Sequence, residues 1–126
     1  MKQEGVVMPR ISALILAVAL LAGGLLCPAA AMAQSREEAI RLYNEADKLD
    51  ANPQSNEDLV KAAQKYEQAL KIFEKLGDKK RVGMCANNVG LIYAGWGQYD
   101  KAKEYLDRAM ALDPNFEEGK RLRELF

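Results

Sequence analysis

The sequence predicts an all-α protein, an α-solenoid of two helical hairpins closed by a C-terminal capping helix. Three observations carry this. From residue 35 onward the apolar side chains recur at spacings of three and four, as amphipathic helices require, and no stretch alternates as a strand would. The small-large-small triplet Ala62, Tyr66, Ala69 returns forty residues later as Ala102, Leu106, Ala109. A period of that size with two helices per unit is the pattern of a helical solenoid. Helix stops then separate the segments: "DANPQSN" at 50–56, Gly77, "WGQ" at 96–98 and Pro114.

Each element follows in order. "SREEAIRLYNEADKL" (35–49) opens on Ser35 with Glu38 three residues on, a capping box in which each side chain takes a free amide at the helix start. Behind it Ala39, Leu42, Tyr43, Ala46 and Leu49 form one apolar stripe. Pro53 and the polar amides around it make a turn. The next helix runs from about Glu57 to Leu76, with Leu59, Ala62, Ala63, Tyr66, Ala69, Leu70 and Phe73 on one side. Gly77 suits the position just past a helix end, where a left-handed backbone is easy only for glycine. "DKKR" (78–81) reads as a solvated, charged connector.

A third helix is expected from about Val82 to Gly95, and a fourth from the turn at 96–98 to Leu112, with Pro114 as its stop. "NFEEGKRLRELF" makes a short capping helix with Phe116, Leu122 and Leu125 on its apolar side. In "GLIYAGWGQYDKA" (90–102) Gly95 and Gly97 would each weaken a helix interior by about 1 kcal/mol relative to alanine. They are therefore assigned to the helix end and the turn. Gly90 and Ala102 are the small residues where the paired helices cross, with Tyr93 and Tyr99 filling the space beside them.

The first 33 residues have a different character. Lys2 and Arg10 precede an uncharged apolar run at 11–26, and Ala31-Met32-Ala33 offers the small-x-small exit of a secretory signal peptide, with cleavage expected between Ala33 and Gln34. The alternatives are an uncleaved anchor and lipidation at Cys27. The apolar run is short for a helix that crosses the hydrocarbon core, which needs about 20 residues, and Leu26 and Pro28 flank Cys27 poorly for a lipid attachment site. The domains expected are thus a signal peptide over 1–33 and a helical domain over 34–126, with repeat 1 at about 35–78, repeat 2 at about 82–114 and a cap at about 115–126. Loss of Lys2, Arg10 and Glu4 from the 18 basic and 18 acidic residues leaves 16 and 17, a net charge of −1. Cys85 is the one cysteine left, so no disulfide holds the exported domain and helix packing must. An exported protein of this kind is expected in a bacterial periplasm, with secretion or a membrane tether as alternatives.

Composition also removes function classes. Balanced charge gives no basic bias toward nucleic acid. The chain has no histidine, which excludes histidine acid/base catalysis and the commonest zinc ligand. No catalytic motif or phosphate loop is present, so no enzyme activity, cofactor or metal is expected.

Residues 85–114, "CANNVGLIYAGWGQYDKAKEYLDRAMALDP", resemble a tetratricopeptide repeat. That family's pattern is Leu-Gly-x-x-Tyr, then Gly-x-Tyr-x-x-Ala, an aromatic or leucine, Ala and a final Pro. Here Val89-Gly90, Tyr93, Gly97, Tyr99, Ala102, Leu106, Ala109 and Pro114 stand at matching spacing, while Ala86 departs from a frequent Trp. Residues 59–78 resemble the second helix of a preceding repeat. The resemblance implies a protein or peptide partner held in a concave groove lined by the first helix of each repeat. Its groove positions fall on Met84, Asn87, Asn88, Leu91, Ala94 and Gly95 in the second unit, and on Ile40, Asn44 and Asp47 in the first in either of two registers. Asn88 occupies the place where the family often has a ligand-binding asparagine. The same residues also read as ordinary solvent-facing positions. The lysines of a carboxylate clamp are missing, since Asn87, Leu91 and Gly95 stand in those slots. Cys85 takes a position where alanine is usual, so a buried small residue is expected. Trp96 reads either as an exposed anchor or as packing over its own hairpin. An alternative to the binding module is a structural subunit that self-associates through repeat edges into a homo-oligomer.

Overall fold

The computed structural model describes residues 28–126. The basic start, the apolar run at 11–26 and Cys27 lie outside these residues. Among the described residues there are five helices and no strand: α1 Pro28–Ala51, α2 Asn56–Lys75, α3 Lys79–Gly95, α4 Tyr99–Leu112 and α5 Glu117–Glu124. Residues Gln34–Phe126 form a compact unit. Two helical hairpins, α1–α2 and α3–α4, are followed by the short α5, as the periodicity predicts.

Three of the predicted helix ends are built as the sequence suggests. Ser55 caps α2, its Oγ accepting the Asp58 amide at 3.3 Å, while Asp58 Oδ2 accepts the Gln54 amide at 2.9 Å. At the end of α2, Gly77 has φ +70°. Its amide donates to the Glu74 carbonyl, and that of Asp78 to the Phe73 carbonyl, each at 3.0 Å. The same six-residue closure recurs at the end of α3. Gly97 has φ +73°, and the Gly97 and Gln98 amides donate to Ala94 and Tyr93 at 2.9 Å. Both are Schellman motifs, which need a left-handed residue and so favour glycine.

Two helix starts differ from expectation. α1 already includes Pro28, the first described residue, so Ser35 lies inside the helix and not at its start. Ala29, Ala30, Ala31, Met32 and Ala33 are strong helix formers and carry the helix ahead of Ser35. α3 begins at Lys79, so "DKKR" is no loop. Asp78 caps it, Oδ1 accepting the Arg81 amide at 3.2 Å, and Lys79–Arg81 form the first turn. Gly77 lets the chain reverse at once, so Asp78 closes α2 with its amide and opens α3 with its carboxylate.

The core lies between the helices in two adjoining groups. One gathers Ala39 and Leu42 of α1, Ala69, Leu70 and Phe73 of α2, Val82, Cys85 and Ala86 of α3, and Ala109 of α4. The other holds Ala46, Ala62, Ala63, Tyr66, Val89 and Ile92. All six members of the repeated triplet, Ala62, Tyr66, Ala69, Ala102, Leu106 and Ala109, are fully buried. Gly90 marks the crossing of α3 and α4: a Cβ there would lie 3.2 Å from the Ala102 carbonyl oxygen and 3.2 Å from Leu106 Cγ. Small residues at the crossing let two helix backbones approach closely.

Aromatic residues close the gaps. Tyr93 stacks on Tyr105 at 5.7 Å between ring centroids, and both hydroxyls donate to Glu67 Oε1, at 3.3 and 2.8 Å. One carboxylate thus ties α2 to α3 and α4. Trp96 packs edge-on against Tyr93 of its own hairpin, and its Nε1 donates to Asn56 Oδ1 of α2 at 2.7 Å, so it also reaches the preceding hairpin. Two expected core contributions turn outward. Tyr99 is 54% exposed and stacks on Phe126 instead of filling the Gly90–Ala102 crossing, and Leu125 is 74% exposed. Tyr99 is the first residue of α4, so it lies beyond the last turn of α3 that could cover it; α5 ends at Glu124, one residue short of Leu125.

Candidate peptide-binding groove

α1 and α3 are the first helices of the two hairpins, and their facing stripes frame the site. On α1, Ile40, Tyr43 and Asn44 fall at spacings of three and four, so they share one face. On α3, Met84, Asn88 and Leu91 do the same. A depression of about 220 Å³ opens between them, lined by Ile40, Tyr43, Asn44, Phe73, Arg81 and Met84. Its walls are mainly apolar, with one amide and one guanidinium, a composition suited to an apolar side chain whose backbone needs a polar partner at the rim.

The polar frame is tight. Asp78 Oδ2 accepts from Arg81 at 2.7 Å and from Arg36 at 3.0 Å, so a single carboxylate ties α1 to the first turn of α3. Burial pushes the Asp78 carboxyl up, but the side-chain and backbone hydrogen bonds from Arg81, with the charges of Arg81 and Arg36, bring it below its ordinary value. The Arg81 guanidinium also lies 5.7 Å from the centre of the Phe73 ring. On α1, Glu45 accepts from Lys65 of α2 at 2.6 Å. Asn88 Nδ2 donates to the Tyr43 hydroxyl at 3.1 Å, a brace from α3 to α1 beneath the groove. Burial raises the Tyr43 hydroxyl, and the Asn88 bond opposes that shift.

The expected site residues divide. Ile40, Asn44 and Met84 line the depression together. Leu91 is exposed farther along α3, where Ala94 and Gly95 follow it. Asp47 lies outside the lining, with its Oδ1 3.5 Å from the Tyr66 hydroxyl. Asn88 is bound to Tyr43 and so braces the groove wall. Asn87 is not a groove-face residue but is only 7% exposed, and its Oδ1 has no hydrogen-bond partner. It neighbours Gly83 and Gly90, the α3 positions that approach α4, and that side is closed. Cys85 is fully buried, and burial pushes its thiol up to about 12, with the Asp78 charge adding to the shift.

Tyr43, Phe73 and Arg81 line the site without having been expected there. Tyr43 and Phe73 match the core stripes of their helices equally well, and Arg81 belongs to the segment read as a connector. The usable signal was Tyr43 at three residues from Ile40. Among the described residues no group of histidine, cysteine and carboxylate side chains could hold a metal ion, and no helix is long and apolar enough to cross a membrane. Ala33 and Gln34 lie within α1.

No curated protein and no solved structure matches the chain. Residues 54–115 match the sequence model of the tetratricopeptide repeat, a span that takes in α2, α3 and α4. The twin glycine closures, the buried Ala–Tyr/Leu–Ala triplets and the Gly90–Ala102 crossing are the packing that such a repeat needs, and residues 54–115 belong to the tetratricopeptide-repeat family.

Proposed function

We propose that this protein is an exported, non-catalytic adaptor that holds a segment of a partner protein in the groove between α1 and α3. Tetratricopeptide repeats generally mediate protein–protein interaction. The observation that carries the reading is the apolar depression framed by Ile40, Tyr43, Asn44, Phe73, Arg81 and Met84. An apolar side chain enters it, Asn44 offers a donor and an acceptor to the neighbouring backbone, and the Asp78–Arg36–Arg81 cluster holds the two helices at fixed separation. Export rests on the basic start, the apolar run and the Ala31-Met32-Ala33 exit, and the bacterial periplasm is the compartment proposed.

A photo-crosslinking side chain at Met84, in the groove, is compared with one at Gln64, exposed on α2, in the native envelope. A partner band from position 84 that is lost on Asn44→Ala in a still-folded protein supports the groove. Crosslinks from position 64 alone would move the working surface elsewhere. A second reading, self-association through the far end of the solenoid, draws on the exposed Tyr99, Leu125 and Phe126. A molar mass that rises with concentration, and stays at the monomer value in Leu125→Asp, would favour it.

A further inference from the structure

We infer that the groove selects a partner segment carrying a carboxylate two positions from the apolar residue it inserts; the inference deepens the groove reading above and rests on it. The depression has a cation in its wall, Arg81. Beside it one carboxylate serves two guanidinium groups, Asp78 Oδ2 accepting from Arg81 at 2.7 Å and from Arg36 at 3.0 Å. The other Asp78 oxygen takes the Arg81 amide at 3.2 Å. Asp78 is thus committed inside the protein and its side chain is only 13% exposed, against 43% for each arginine. Two positive charges against one negative leave a surplus of one, and the exposed Lys79 and Lys80 add to it in the same turn of α3. Nearby acids do not cancel it. Glu37 shares the outer wall of α1 with Arg41, Glu45 and Lys48, two charges of each sign. Glu38 stands about 200° round the helix from Arg36, and Glu74 is paired with Arg108.

The donors that remain suit a carboxylate. A guanidinium presents its N–H groups as a fixed fork that can hold both oxygens of an acid, and each arginine gives Asp78 a single side-chain nitrogen. The Arg81 guanidinium also lies 5.7 Å from the centre of the Phe73 ring, so cation and apolar floor belong to one pocket. In an extended segment the side chains alternate, and residues two apart point the same way at a distance of about 7 Å. A leucine-sized side chain in the depression of about 220 Å³ therefore sets the side chain two positions away beside Arg81, while Asn44 meets the backbone between them. An acid there answers the surplus charge, a neutral residue leaves it unanswered, and a lysine is repelled.

The test titrates the protein recovered from the native envelope, labelled at its amides and methionine methyls for NMR, with acetylated and amidated peptides. The probes are Ser-Glu-Ser-Leu-Ser and the reversed order Ser-Leu-Ser-Glu-Ser, each also made with Gln or Lys in place of Glu. The Met84 methyl and the Asn44 side-chain amide report the groove. In the better order the Glu peptide binds roughly threefold to tenfold more tightly than the Gln peptide, the Lys peptide binds most weakly, and added salt narrows the gap. Arg81→Gln removes the difference between Glu and Gln, Arg81→Lys keeps part of it, and Lys79→Gln with Lys80→Gln lowers it less than Arg81→Gln does. Equal binding of the Glu and Gln peptides, or a preference for Lys, overturns the charge selectivity and leaves the groove reading standing. Groove signals that no peptide moves overturn both. The peptide comparison needs only the wild-type protein, so it holds whether or not an Arg81 variant folds.

Discussion

Gly90→Ala tests whether α3 and α4 cross where the structure puts them. On a free helix surface the change would stabilise, since alanine exceeds glycine by about 1 kcal/mol in a helix interior. At this crossing the new Cβ would sit 3.2 Å from the Ala102 carbonyl oxygen, 3.2 Å from Leu106 Cγ and 3.4 Å from Leu106 Cδ2. The two helices must part by a few tenths of an ångström, and overpacking of that kind costs about 1–3 kcal/mol. The net expectation is a loss of about 0–2 kcal/mol. Leu106→Ala alone removes a fully buried side chain and costs about 2–5 kcal/mol. Two of the three close approaches are to Leu106, so the double variant loses less than the sum, by about 1 kcal/mol. Urea denaturation of the four proteins gives the cycle. A clear gain in Gly90→Ala, or additivity within about 0.5 kcal/mol, would refute the crossing, and with it the placement of Met84 and Asn88 opposite α1.

Gly97→Ala, with its positive φ of 73°, should cost about 1–2 kcal/mol by thermal melting; Gly95→Ala, whose new Cβ meets nothing within 4 Å, should gain up to about 1 kcal/mol. Asp78 has a carboxyl held below its ordinary value, so its contribution is present above pH of about 4 and drains away as pH falls further. Asp78→Asn should therefore cost about 1 kcal/mol at neutral pH, discounted because Arg36 and Arg81 are each 43% exposed, and shrink the acid-side loss of stability measured by urea titration between pH 7 and 3. Asn87→Leu should be neutral or stabilising by about 1 kcal/mol, because it removes a buried carbonyl oxygen that lacks a partner. A large loss would mean that the amide is bonded in solution.

The sequence alone determined the five helices, the pairing into hairpins and the two glycine turns. These depend on short-range physics: three-and-four apolar spacing, and the left-handed backbone that Gly77 and Gly97 supply. The Ala62–Tyr66–Ala69 and Ala102–Leu106–Ala109 triplets announced their burial for the same reason, since one helix face is set by its own period. Ser35 and Glu38 marked a helix start by their local spacing, but the alanines ahead of them, read as a signal-peptide exit, carry α1 back past Ser35. Tertiary structure decided what depends on the residue opposite. Asn87 and Asn88 are adjacent and identical, yet one is sealed against the next helix and the other meets the hydroxyl of Tyr43, 45 positions away. Tyr99 and Leu125 fit apolar stripes, but no neighbouring helix extends far enough to cover them. A side chain's periodicity fixes its direction from its own helix; burial and bonding require a second surface, and chain reversal brings that surface from distant sequence.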